Sequence, residues 1–217
     1  MEVIHVRDNI ESWKLAGEIV KKKRPISVAV QAPKKFQGIV DQLIANLISW
    51  EDFLQEISSR TGIPIPTEDP RTAWLHVVYA CNLIASKVYL IEPDIEEILE
   101  KVKNKLKIKK KEKVIQEAKV WYISKEGFPR KLMNYLLTLF IFLPHFIRIW
   151  LAREIMKLYG FIANLIPGDQ HDVISAISMG DEEMAREMAK EIKKKEPEIV
   201  VLHEWYSEEV MQRYTEL

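Results

Sequence analysis

Lys21-Lys22-Lys23-Arg24-Pro25-Ile26-Ser27-Val28-Ala29-Val30-Gln31 decides the fold, because its phrasing returns as Lys193-Lys194-Lys195-Glu196-Pro197-Glu198-Ile199-Val200-Val201-Leu202-His203. In each copy a basic run closes a helix and a proline prevents its continuation. A short apolar, β-branched run follows, bounded like a buried strand. Two strands of one sheet therefore bracket a largely helical middle. In open α/β sheets ligands bind beyond the carboxyl ends of the strands, and those ends carry Gln31 and His203.

Working outward, Val3-Ile4-His5-Val6 reads as a first short strand. Asp8 or Asn9 is placed to cap the next helix, whose Ile10, Trp13, Leu15, Ala16, Ile19 and Val20 fall mainly on one face. A helix built on Phe36, Ile39, Val40, Leu43, Ile44 and Leu47 follows the second strand, and Ser49–Ile57 forms another. A proline-broken loop through Pro70 precedes an apolar helix from Thr72 through Ala85. Lys87-Val88-Tyr89-Leu90-Ile91-Glu92, stopped by Pro93, reads as a further strand. The expected architecture is one α/β domain over residues 1–217 with a small, mainly parallel sheet. Its strands lie near 3–6, 26–32, 87–92 and 198–204, and a mainly helical insertion spans 95–192.

Bulk composition narrows the function. With 217 residues and 47% hydrophobic content the chain can bury a full core. Its 32 Lys and Arg balance 32 Asp and Glu, so the whole chain has no charge excess for wrapping nucleic acid, and any basic surface must be local. A single cysteine, Cys81, excludes an internal disulfide framework and a cysteine-rich zinc site. The N-terminus starts strand-like, without a basic stub and an apolar stretch, which gives an expectation of a cytoplasmic protein. The charged fraction of 29%, much of it Lys and Glu on helices, resembles that of thermophilic proteins.

Beyond Pro93-Asp94, Ile95–Leu106 is an amphipathic helix, and Lys105–Lys113 reads as a solvated junction beside many glutamates. Val114–Ser124 is helical until Gly127-Phe128-Pro129. The most apolar stretch is Leu132–Leu151. A membrane span needs about 20 predominantly apolar residues. Here Pro144-His145 interrupts the run and Lys131 and Arg148 flank it, so a buried helix or a partner-facing surface is expected, with Leu136, Phe140, Phe146 and Trp150 the candidates for partner contact or self-association. Peripheral membrane contact stays open. Ala176-Ile177 leads to Gly180-Asp181, which restarts an amphipathic helix through Lys193, and Ser207 begins a terminal helix.

The segment order resembles the TraB/PrgY proteins, part of the broader group with the Tiki and GumN proteins. Val3-Ile4-His5-Val6 keeps the histidine and valine of the family's Gly-Thr-x-His-Val element. Val28-Ala29-Val30-Gln31-Ala32 stands in register with its Val-Ala-Val-Glu-Leu strand. Lys87-Val88-Tyr89-Leu90-Ile91-Glu92-Pro93-Asp94-Ile95 matches its Lys-Val-x-Leu-Ile-Asp-Arg-Asp-Ile. Gly180-Asp181-Glu182-Glu183-Met184-Ala185 matches Arg-Asp-x-x-Met-Ala, and His203-Glu204-Trp205-Tyr206 replaces the Gly-x-Gly-His turn.

The resemblance implies an α/β core and, by analogy with Tiki-type members, a metal-dependent peptidase ancestry. Such a hydrolase needs converging ligands and an acid or base for the attacking water, whereas Gln31 replaces the family's glutamate and an amide does not titrate. The expected function is therefore that of a divergent, non-catalytic TraB/PrgY-like binding or regulatory protein. One alternative is a hydrolase with a remodelled site in which His5 and His203 hold a divalent metal with Glu92 or Asp94. Another follows from Ala176-Ile177, Gly180-Asp181 and Ala185, which resemble the last helix pair of FadR-type ligand domains and imply an organic-acid sensor. The metal histidines of that pattern fall on Gln170 and Ile192.

Overall fold

The computed structural model describes residues 1–106, 111–123 and 168–217. In chain order its regular elements are β1 (Glu2–Val6), α1 (Ile10–Lys23), β2 (Ser27–Pro33), α2 (Gln37–Ile44), α3 (Trp50–Thr61), α4 (Leu75–Leu83), β3 (Lys87–Glu92), α5 (Ile95–Lys105), α6 (Lys111–Ile123), α7 (Gly168–Lys195), β4 (Ile199–His203) and α8 (Glu204–Glu216). All four strands are parallel, in the order β1-β4-β2-β3. The α/β expectation holds, and each basic phrase runs into one of the two central strands.

Register assigns the faces. Val28 lies opposite Val88 and Ile199, Val30 opposite Leu90 and Val201, and Ile4 opposite Val201. Residues paired across a ladder share a face, so these side chains form one apolar layer. They belong to a single buried core with Trp13, Ala16 and Val20 of α1, Leu43 of α2, Phe53 and Ile57 of α3 and Val77, Val78 and Cys81 of α4. Strand β4 is buried along its whole length, as a central parallel strand must be. Burying a side chain such as Val or Ile contributes about 1.5–3 kcal/mol, so this layer is the main source of stability for the sheet.

Helix α1 begins at Asn9, whose side chain accepts the Ser12 N–H at 2.7 Å. Trp13, Ala16, Gly17 and Val20 face inward, but Leu15, expected on that face, is 63% exposed. Two positions past Trp13 is about 200° around the helix, which carries Leu15 to the far side. Gly17 permits the close approach of α1 and α4, since a Cβ there would stand 2.8 Å from the carbonyl oxygen of His76.

Other boundaries also move. The apolar helix starts at Leu75 rather than Thr72, because the buried Thr72 hydroxyl donates to the Pro66 carbonyl at 2.5 Å within a turn. Helix α7 runs unbroken through Gly180 and Asp181, where a restart was expected, and Gly180 is buried there. Helix α8 starts at Glu204, three residues before Ser207.

One device recurs before β2, β3 and β4. Arg24, Ala85 and Glu196 all take left-handed backbone conformations, with φ of 51°, 53° and 46°, and turn the chain from a helix into the strand. Glycine is the usual residue in that role.

The described chain divides into two compact units, one of Met1–Asp94 with Glu182–Leu217 and one of Ile95–Asp181. The first holds the sheet. Within the second, α5 packs on α6, and Lys119–Glu96 (2.5 Å) and Lys103–Glu112 (2.6 Å) join them at the surface. Among the described residues no helix is long and apolar enough to cross a membrane. Leu136, Phe140, Phe146 and Trp150 lie outside the described residues.

Candidate functional site

The parallel topology brings the carboxyl ends of all four strands to one end of the sheet, where the sequence places its candidates. Their geometry is best built from β2 and β4, the central pair. The backbone ladder between them runs from Val28 and Ile199 to Val30 and Val201. Beyond it the buried Gln31 takes over, its Oε1 accepting the His203 backbone N–H at 2.9 Å. The side-chain amide thus satisfies a buried donor that the strand no longer reaches.

His203 ends β4 and caps α8. Its Nδ1 accepts the Trp205 N–H at 3.3 Å, which fixes the ring proton on Nε2. That Nε2 stands 2.9 Å from Asp8 Oδ1 but off the N–H axis, so no aligned hydrogen bond closes although the two groups touch. Asp8 comes from the turn after β1, and beside it Arg7 Nε meets Glu204 Oε2 at 3.1 Å. The imidazole therefore caps the start of the last helix and stands against the turn that follows β1.

His5 occupies the other side. Val6 lies opposite His203 and His5 opposite Leu202, and neighbours along a strand alternate in face. His5 and His203 thus sit on opposite faces of the sheet and do not converge on one ion. His5 is exposed. Glu92 ends β3, half-buried and in register with Pro33, and Asp94 is exposed beyond it. Strand β2 separates β3 from β4, which sets Glu92 and His203 roughly 10 Å apart at the backbone. Among the described residues no group of three or more His, Cys, Asp or Glu side chains is placed to hold a metal ion. Of the five candidates, Gln31 and His203 meet; His5, Glu92 and Asp94 stand apart from them.

Sequence reasoning missed Gln37. As the first residue of α2 it lies against the free edge of β3, accepting the Leu90 N–H at 2.7 Å and donating to the Val88 carbonyl at 2.9 Å and to Asp41 Oδ1 at 2.8 Å. It acts as a one-residue false strand that blunts an exposed edge. The only available signal is a glutamine opening a helix soon after a strand. Asp8, as the neighbour of His203, was missed because the contact spans almost the whole chain.

Comparison of the chain with known protein families, with curated proteins and with solved structures finds no match.

Two titratable groups away from this end are accounted for by packing. Burial pushes the Cys81 thiol up to about 12, so it remains protonated and unreactive near neutral pH. Burial also holds His76 below its ordinary range, and its Nε2 bonds the Thr67 carbonyl at 3.0 Å, as expected of a satisfied structural histidine.

Proposed function

We propose that this chain is a non-catalytic binding or regulatory protein built on a TraB/PrgY-like α/β core. One observation carries the reading: Gln31, standing where the resembling family has a glutamate, spends its acceptor oxygen on the buried His203 N–H. A neutral amide already engaged with the backbone neither activates water nor adds charge to a metal site. His203 fits the same account, since its Nδ1 acceptor is used by Trp205 N–H and its protonated Nε2 faces Asp8. Both groups hold strand and helix ends together.

The partner contact is assigned to the apolar run 132–151, through self-association or a protein partner. Its test is the mass of the intact protein by light scattering, where Phe140→Asp and Phe146→Asp are expected to reduce an oligomer to a smaller species. An unchanged mass in both variants defeats the assignment. Elemental analysis of protein purified without chelators tests the non-catalytic part. Stoichiometric metal that disappears in His203→Ala or His5→Ala would revive the hydrolase.

A further inference from the structure

The opposite end of the sheet has a different chemistry. Because β2 and β4 are parallel neighbours, the two basic phrases that precede them arrive together at the amino-terminal end. Three backbone or carboxylate contacts link the arriving segments directly: Ile26 N–H to Glu198 Oε2 at 2.8 Å, Glu198 N–H to the Ser27 carbonyl at 3.2 Å, and Lys87 N–H to the Ile26 carbonyl at 2.9 Å. Residues 21–24, Lys87 and residues 193–195 therefore gather eight cations at one end, all exposed, against the carboxylates of Glu2, Glu196 and Glu198. Among the described residues, Lys23 is the one of the eight in an ion pair, with Glu2 at 2.5 Å. Lys87 and Lys195 both stand 5.2 Å from the ring centre of Tyr89, two like charges on one aromatic.

Helix C-termini favour one or two cations through their dipoles. Three or four in succession at two neighbouring termini exceed that need. The chain as a whole is neutral, so the excess is local. Two large apolar side chains lie in the same place, Ile26 at 77% exposure between the basic turn and β2, and Leu83 at 50% at the end of α4.

We infer that the amino-terminal end of the sheet docks on an anionic lipid bilayer. Lysine predominates over arginine, which suits diffuse attraction to a negatively charged surface rather than bidentate recognition. Exposed Ile26 and Leu83 supply apolar contact with the interfacial zone. Stacking on nucleic-acid bases would call for exposed aromatics among the cations, and Tyr89 is half-buried between two of them. The surface lies outside the apolar run 132–151, so this inference stands independently of the proposed partner contact.

Flotation of the full chain with vesicles tests it. Wild type is expected to float with vesicles of phosphatidylcholine containing about a third phosphatidylserine and not with phosphatidylcholine alone, and ~0.5 M salt is expected to release it. Each lysine near the surface accounts for roughly fivefold in partitioning. The triple variant Lys193→Gln, Lys194→Gln, Lys195→Gln is then expected to bind about 100-fold more weakly. Ile26→Ser is expected to weaken binding severalfold at unchanged charge, while Lys14→Gln, on the exposed flank of α1, leaves it unaltered. Failure of wild type to float, equal binding to neutral vesicles, or undiminished binding by a folded triple variant overturns the inference. So does salt-sensitive binding of a duplex oligonucleotide that exceeds vesicle binding and persists in Ile26→Ser, which would assign the surface to nucleic-acid phosphates.

Discussion

The two ends of the sheet use their polar groups in opposite ways. At the carboxyl end Gln31 and His203 are joined to backbone donors left over where a strand stops and a helix starts, and Gln37 covers the lateral edge of β3. At the amino end the cations of both basic phrases are exposed, with Lys23 the one of them in an ion pair among the described residues, and the turning is done by left-handed residues at Arg24, Ala85 and Glu196. The end where an α/β sheet ordinarily binds its ligand thus has Gln31 and His203 engaged with the backbone of the fold. The other end gathers more positive charge than two helix C-termini call for. Substitutions at the two ends should separate stability from binding.

The largest effect belongs to Gln31→Leu. It keeps the volume nearly constant but leaves the buried His203 N–H without its acceptor, a loss of about 1–3 kcal/mol. Urea unfolding measures it directly, and a change within about 0.5 kcal/mol would mean that the Gln31 amide is free for other work. His203→Ala comes next, at about 1 kcal/mol for a lost helix cap. His203→Asn, which restores an acceptor at the same position, should recover much of that loss. If both variants are equally destabilised, packing of the ring rather than capping is what matters.

The extent to which this was legible in sequence follows the same division. Val28, Val88 and Val200 announced parallel strands because β-branched runs closed by prolines or turns have few other uses. Their order did not follow, since nothing local to β1 says that β4 will insert between it and β2. Gln31 and His203 were visible as residues at strand ends, but their joint role was not, because it depends on a hydrogen bond between positions 172 apart in sequence. The metal pairing of His5 with His203 required knowledge of register. Once Val6 is opposite His203, alternation sends His5 to the other face. The amino end was the more readable of the two: a basic run, a proline and a strand occurring twice needs only parallel pairing to become one surface.

His76 provides a pH-dependent control at a residue that belongs to neither end. His76 is held below its ordinary range chiefly by burial, so its folded pKa lies under the unfolded value. The unfolded chain then binds the extra proton, and stability decreases as pH falls through about 6.5 toward the folded pKa. His76→Gln should flatten that part of the stability–pH curve. A curve unchanged by the substitution would move the acid sensitivity to another group. Glu196→Gly should act with the opposite sign to the losses above. It relieves a left-handed backbone at φ 46°, while the loss of a carboxylate from among the cations acts against that gain. The greater freedom of glycine in the unfolded chain offsets part of the gain, leaving about 0.5 kcal/mol of added stability, read as a higher urea midpoint at unchanged slope.

The smallest effect is the most informative about the amino end. Lys193, Lys194 and Lys195 are exposed, and none is ion-paired among the described residues. Replacing all three with Gln removes favourable contact with the α7 dipole, about 0.3–1 kcal/mol for such charges before screening. It also relieves repulsion from Lys21–Arg24 and Lys87 across the same surface. The two terms oppose each other, so the unfolding free energy at physiological salt should stay within about 0.5 kcal/mol of wild type. Added salt should narrow the gap further. A triple variant that loses several kilocalories would show that these cations hold the fold as Gln31 and His203 do, and the contrast between the two ends would collapse. Unchanged unfolding together with lost vesicle binding would place the charge where binding, rather than stability, maintains it.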